Sequence, residues 1–296
     1  MLAYKRIGVT VKSGLDKKDK AVQHIMDILQ KLGAHICLDV KRAEGYAKVK
    51  GVEPLECIEN VDLLIVIGGD GTILRAFREM KNLSIPILSV NWGTVGFLAE
   101  TNLIEADQLL PELLSGGGTL EERGVLHVEV LRGKEAFFNG YALNEAVIAQ
   151  GTIARLVDLK ASVNSENLTT FHADGLIIST PTGSTAYSLA AGGPVVHPTI
   201  SATILTPINP HSFSQKPIVI PGDSAVEVEV LTRENKFRDT EVVLTLDGQV
   251  YVPLKHHDRI SACVNRQKIR FLRRSQDTFF STLRTKLKWG ESTDRT

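Results

Sequence analysis

The stretch Leu63-Leu64-Ile65-Val66-Ile67-Gly68-Gly69-Asp70-Gly71-Thr72 constrains this chain more than any other. An apolar run ends abruptly in three glycines around one aspartate, and a helix-like pattern follows. The run has the length and branched composition of a buried strand. The glycines let the backbone turn sharply and approach a ligand closely. A helix starting there aims free N–H groups into the turn, which favours an anion such as phosphate. Asp70 carries the wrong charge to bind phosphate itself. It therefore reads as a metal ligand, a base, or a turn residue capping the next helix.

The surrounding pattern alternates strands and helices. Tyr4 to Val11 and His35 to Val40 read as strands, and Lys17 to Leu32 as a helix whose apolar face is Val22, Ile25, Met26, Leu29 and Leu32. Lys41 to Glu59 is charged and reads as loop plus a short helix. Val61 to Ile67 is then a strand, Thr72 to about Met80 a helix, Ile85 to Val90 a strand, and Leu103 to Leu114 a helix. Such alternation predicts βαβ units and a Rossmann-like parallel sheet, with ligands at the carboxyl ends of its strands. Near Glu122 the pattern changes. Short β-like runs follow at Val125–Leu131, Ala142–Ala149, Arg155–Val163, Leu176–Thr180, Ile218–Ile220, Ala225–Leu231, Val242–Leu246 and Ile260–Val264. Turn residues such as Pro221-Gly222-Asp223 and Asp247-Gly248 punctuate them, which predicts an all-β, sandwich-like domain. Ser184 to Ala191 is the exception, small and helix-compatible. The tail reads as a strand at Ile269–Leu272 and an amphipathic helix bearing Phe279, Phe280, Leu283 and Leu287. The expected division is an α/β domain over 1–123, a β-rich dinucleotide-binding domain over 124–266, and a C-terminal segment over 267–296.

Charge and cysteine content exclude several function classes. Lysine plus arginine equals aspartate plus glutamate, so the net charge of zero supplies no field for nucleic acid or an anionic membrane. Cys37, Cys57 and Cys263 are odd in number and form no CxxC, which argues against a disulfide framework or zinc site. Met1 to Lys12 shows no signal-peptide core, and no apolar stretch approaches the ~18 residues a membrane helix needs. A cytoplasmic chain is expected. His24 and His35 have no partners in sequence and read as surface or edge residues.

Three constellations can carry chemistry. No GK[ST] follows the glycine turn and a third dinucleotide glycine is missing, so it is neither a Walker A loop nor GxGxxG. A carboxylate inside a phosphate turn can accept the proton of an attacking hydroxyl or help hold Mg²⁺. In Ala142-Leu143-Asn144-Glu145-Ala146, two polar residues interrupt an apolar run; strand alternation sends them to opposite faces, so one points into core or cleft. A buried carboxylate there needs donors such as vicinal ribose hydroxyls, whereas an edge position would face water. Finally, Asp174 to Ser188 runs from a strand into Thr180-Pro181-Thr182-Gly183-Ser184-Thr185-Ala186-Tyr187. Hydroxyls and free N–H groups at a helix start suit a polar ligand, though ordinary capping uses the same residues.

Together these stretches resemble the NAD kinases. The likeness comprises Gly68 to Thr72, Asn91 with Gly93, Gly96-Phe97-Leu98, Asn144-Glu145, Asp174 through Tyr187, Pro210-His211-Ser212, Lys216-Pro217, and Lys286-Leu287 with Trp289. GGDG occurs in lipid kinases and phosphofructokinases too; the Asn-Glu pair followed by TPTGSTAY is far more specific. The resemblance implies transfer of the γ-phosphate of ATP, with Mg²⁺ carried by ATP, to the 2′-hydroxyl of the adenosine ribose of NAD. It also implies a C-terminal segment that returns to the first domain, assembly as a homodimer or homotetramer, and a site using both domains. Under it Asp70 is the general base with Gly71 beside it, and Gly68, Gly69 and Thr72 form the phosphate turn. Asn144 and Glu145 hold ribose hydroxyls, Asp174 bonds at the nicotinamide side, Thr185, Ala186, Tyr187 and Ser188 line the dinucleotide site, and Phe97 packs near adenine. Arg75, Arg155, His172 and Gln249 are further ligand contacts. Val95 stands where leucine is usual and Lys216 where arginine is usual. A lipid kinase of the diacylglycerol type and a non-catalytic dinucleotide sensor are the alternatives; Asn144-Glu145 and the intact Asp70 turn speak against them.

Overall fold

The structure, a computed structural model, describes residues 2–12, 18–39, 41–42, 51–55, 58–91, 96–98, 101–151, 156–231, 242–274 and 279–288. The chain divides into two compact units, Met1–Glu122 with Ile269–Thr296, and Arg123–Lys268.

The first unit is built on β1 (Arg6–Val11), α1 (Lys18–Lys31), β2 (His35–Leu38), β3 (Val52–Pro54), β4 (Leu63–Ile67), α2 (Asp70–Glu79), β5 (Ile87–Asn91), β6 (Thr101–Asn102) and α3 (Ala106–Glu112). The strands lie in the order β3-β2-β1-β4-β5, every neighbouring pair parallel. The flank of β5 is covered at Val90 by Thr101 and at Ile87 by Phe271 from the C-terminal part of the chain. All residues of β4 and β5 are buried, as expected of central strands in a parallel sheet. The core joins Ile7, Val9, Ile36, Leu63, Ile65 and Leu88 to Val22, Ile25, Met26 and Leu29 of α1. A three-residue strand, β3, stands where loop and short helix are expected. His24 and His35, read as surface or edge residues, are partly exposed, and each meets a carboxylate at 2.9 Å, Asp107 and Glu53 respectively.

The second unit carries β7 (Thr119–Arg132), β8 (Glu135–Ala142), β9 (Glu145–Gln150), β10 (Val157–Val163), β11 (Glu166–Ala173), β12 (Gly175–Ser179), α4 (Tyr187–Ala190), β13 (Ala202–Ile208), β14 (Ile218–Pro221), β15 (Val226–Val230), β16 (Val242–Leu246) and β17 (Val250–Leu254). β18 (Arg259–Arg273) and α5 (Phe279–Leu287) complete the chain. One sheet runs β14-β13-β12-β9-β16-β17 with every pairing antiparallel. Opposite it, β11, β10, β15 and β18 pair antiparallel in that order, and β7 pairs with β18 and β8. Leu176, Ile178 and Leu244 of one sheet share a core with Leu159, Val228 and Ile260 of the other, which makes the unit a sandwich.

Two expectations require correction here. The run 142–149 is not one strand: β8 ends at Ala142 and β9 begins at Glu145, leaving Leu143 and Asn144 in a bend. The tail strand at 269–272 is not separate, but the end of β18.

Candidate active site

The glycine turn follows directly from β4. Gly68 has φ +152°, and a Cβ there would come 2.9 Å from Thr72 Cβ, so only glycine makes this exit from the strand. α2 then begins at Asp70, two residues before the predicted Thr72. Asp70 does not cap it: the N-cap is Gly69, and no side chain bonds into the first turn. Instead the Asp70 carboxylate reaches across to residues 96–98. Its Oδ2 accepts from the Phe97 N–H at 3.0 Å and its Oδ1 from the Leu98 N–H at 3.2 Å. A Cβ on Gly96 would fall inside that carboxylate, so the approach requires glycine at 96. Trp92 to Val95 lie outside the described residues.

Beside the turn lies a pocket of about 280 Å³ lined by Lys12, Gly69, Gly71, Thr72 and Arg75. Two cationic side chains and the helix start make it a seat for anionic oxygens. Arg75 is held by its Nη2, which donates to Thr10 Oγ1 at 3.0 Å and to the Val11 carbonyl at 3.1 Å. Its Nε is buried without a partner, and burial together with the charge of Arg42 draws its pKa below the ordinary value. No carboxylate is among the described lining residues. Elsewhere in the unit His35, Cys37 and Glu53 bring donor atoms within 4.8 Å of one another, but Arg6 already pairs with Glu53 at 2.8 Å and burial raises the Cys37 thiol.

The second group of predicted residues is organised by Asp247, whose sequence signal, Asp-Gly, is that of a turn. Asp247, in the β16–β17 hairpin at φ +50°, accepts three backbone N–H groups: Leu143 at 2.8 Å, Asn144 at 2.8 Å and Glu145 at 3.1 Å. From the other side Thr180 N–H and Ser179 Oγ donate to the Asn144 carbonyl at 2.8 and 3.2 Å. The Thr180 hydroxyl donates to the Leu143 carbonyl at 2.6 Å. The bend at 143–144 is thus clamped through its backbone, and none of these bonds uses the Asn144 side-chain amide. Glu145, the first residue of β9, is 7% exposed and its Oε2 has no partner. Burial, then the charge of Asp247, push its carboxyl up from 4.5 to about 8, against a backbone N–H of Tyr187 that favours the ionised form. The aspartate-glycine dipeptide was the only signal for Asp247, and it points to a hairpin rather than to a clamp.

Thr185 closes a short 3₁₀ turn, its hydroxyl donating to the Thr182 carbonyl at 3.3 Å; Ala186 is the N-cap of α4. Tyr187 leaves 46% of its surface exposed, and Ser188 is buried against Thr206 at 2.9 Å. Gln249 is exposed in the hairpin next to Asp247. These residues gather around the Glu145 end of β12, where Ser179 pairs with Glu145. Asp174 and His172 stand at the other end of that strand, where Gly175 pairs with Ala149, about 14 Å away at ~3.4 Å per residue. There Asp174 Oδ2 accepts from Asn209 at 2.9 Å, and His172 Nδ1 meets Asp158 at 2.6 Å. Arg155 lies outside the described residues.

Residues 7–118 match the ATP-NAD kinase N-terminal domain and residues 143–274 the ATP-NAD kinase C-terminal domain. An NAD kinase of Geotalea daltonii is 42% identical over 79% of this chain and 80% of its own length. The chain belongs to the NAD kinase family. An NAD kinase of Solibacter usitatus is 36% identical over 97% of this chain and 98% of its own length. Among solved structures, yeast NADH kinase complexed with NADH superposes with a TM-score of 0.89 at 24% identity, covering 99% of this chain and 90% of that one. An NAD kinase from Archaeoglobus fulgidus in complex with ATP gives a TM-score of 0.74 at 25% identity, covering 96% and 98%. The two-domain fold, an α/β unit with a parallel sheet and a β-sandwich unit, is that of the NAD kinases. No helix among the described residues is long and apolar enough to cross a membrane.

Proposed function

We propose that this chain is an NAD kinase whose phosphate turn handles the triphosphate of ATP while residues of the second unit hold NAD. One observation carries the reading: a carboxylate, Asp70, oriented by two backbone amides at the mouth of a turn whose neighbouring pocket is lined by cations. In the reaction the adenosine 2′-oxygen bonds to the γ-phosphorus, the bond from that phosphorus to the β,γ-bridging oxygen breaks, and the hydroxyl proton passes to Asp70. ADP carries away the electron pair. Most of the catalytic work in such a transfer is positioning and charge neutralisation. Lys12, Arg75 and the turn N–H groups supply the charge complement on the protein side, and Mg²⁺ carried by ATP would supply further charge neutralisation of the triphosphate. Asn144 and Glu145 orient the ribose hydroxyls, Thr185, Ala186, Tyr187 and Ser188 line the dinucleotide, and Asp174 bonds toward the nicotinamide. Phe97 packs near adenine, and Arg155, His172 and Gln249 add outer contacts.

The decisive experiment incubates the purified chain with NAD, ATP and MgCl₂ and measures NADP, with diacylglycerol as an alternative acceptor. NADP formation is expected. Tight NAD binding with no NADP formed, or phosphorylation of the lipid instead, overturns the reading. The same reading places the chain in the cytoplasm as a homodimer or homotetramer, which sedimentation velocity and cell fractionation check.

A further inference from the structure

Among the described residues Arg75 forms no ion pair, although two carboxylates, Glu79 and Asp39, lie close enough to act on its charge. Glu79 lies four residues further along α2, the spacing at which arginine and glutamate ordinarily pair on a helix. Asp39 is one hydroxyl away: Thr10 Oγ1 donates to Asp39 Oδ2 at 2.7 Å and accepts from Arg75 Nη2 at 3.0 Å. Yet neither carboxylate pairs with Arg75, because both are taken by Arg42. Its Nη1 donates to Asp39 Oδ2 at 2.6 Å and its Nη2 to Glu79 Oε1 at 2.6 Å. Among the described residues Arg75 is bonded only to neutral oxygens of Thr10 and Val11, with its Nε buried and unpartnered. A guanidinium half withdrawn from water with no carboxylate on it is costly. The cost is recovered when an anion arrives, and the pocket that Arg75 lines is where one can.

We propose that Arg42 is a positioning residue that holds Asp39 and Glu79 away from Arg75, so that Arg75 stays available as a seat for the triphosphate oxygens of ATP. The proposal rests on the kinase reading above. It adds to that reading a residue that touches no substrate yet sets the affinity for one.

The test is kinetic and thermodynamic. In Arg42→Met the two carboxylates lose their partner, and Glu79 falls to Arg75 at its helical spacing. The KM for ATP should rise about ten- to hundredfold, the range expected when one charged hydrogen bond to substrate is lost. The KM for NAD and the kcat at saturating ATP should stay within about threefold of the parent. Arg42→Lys should recover part of the loss. The triple variant Arg42→Met, Asp39→Asn, Glu79→Gln carries no released carboxylate and should bring the KM for ATP back to within about threefold of the parent. A purely structural role for Arg42 predicts the reverse, since the triple variant dismantles more of the network. Calorimetric titration with Mg·ATP, without NAD, should follow the same order of affinities. An unchanged KM for ATP in Arg42→Met, or a triple variant no better than the single, overturns the proposal. Failure of the parent protein to form NADP overturns the kinase reading, and the Mg·ATP titrations still decide the role of Arg42.

Discussion

Glu145→Gln tests the electrostatics of the second unit directly. The fold raises the Glu145 carboxyl from 4.5 to about 8, chiefly through burial and then through the charge of Asp247. Between those two values the unfolded chain has lost the proton and the folded chain still holds it. The folded state therefore binds more protons, and stability falls as pH rises through the window, by about 1.4 kcal/mol per pH unit. Over the whole window the loss comes to about 5 kcal/mol. Glutamine has the shape of the protonated acid and cannot ionise, so the variant escapes this loss. Urea unfolding followed by circular dichroism, from pH 4 to 9, should give a variant-minus-parent difference that is flat near pH 4. It should climb steadily above that and level off beyond pH 8, with the variant the more stable. A difference independent of pH would refute the reasoning, because it would mean that the folded carboxyl ionises as it does in the unfolded chain. The same logic reaches ligand binding. Ribose hydroxyls that donate to Glu145 favour its ionised form, so NAD binding at pH 7 should release up to one proton. Calorimetry in two buffers of different ionisation enthalpy measures that release, which should vanish in Glu145→Gln.

Three further substitutions probe the remaining geometry. Asp70→Asn should lower kcat by about 10²–10⁴-fold, the range for a lost general base, while NAD binding measured by calorimetry stays within threefold. Gly96→Ala places a methyl group in the Asp70 carboxylate and should cost at least about tenfold in kcat, because the carboxylate must leave the Phe97 and Leu98 amides; steady-state kinetics reads this. Asp247→Ala leaves the N–H groups of Leu143, Asn144 and Glu145 without their acceptor, and urea unfolding should show a loss of about 2–4 kcal/mol together with a raised KM for NAD.

The parts of this protein that were legible in sequence are those set by local pattern. The run from Leu63 to Thr72 announces strand, turn and helix because branched apolar residues, glycine and helical periodicity each have a short-range cause. What escaped was set by distant partners or masked by composition. β11 is mostly exposed, and its sequence, Glu-Asn-Leu-Thr-Thr-Phe-His-Ala, shows little apolar alternation. β13 and β17 contain Pro207 and Pro253, which read against strands. Yet β17 lies at a sheet edge, and Pro207 lies beyond the residues of β13 that β14 covers, so neither proline breaks a ladder there. The bend at Asn144 is fixed by Asp247, about a hundred residues away in sequence, and no local signal can report it. Capping was one of three readings open to Asp70, because aspartate commonly caps helices; its carboxylate instead meets Phe97 and Leu98, 27 and 28 residues further on.

The discontinuity of the first unit has a consequence for synthesis. Its sheet is closed at Ile87 by Phe271, yet all of Arg123–Lys268 is made before that residue. At translation rates of ~5–20 residues per second, the nascent β5 waits roughly 9–36 s with part of its edge unpaired. An open parallel edge is a template for strands of other chains. The newborn protein is therefore most vulnerable not while its first unit emerges, but afterwards, while the second is being made and the first cannot yet finish.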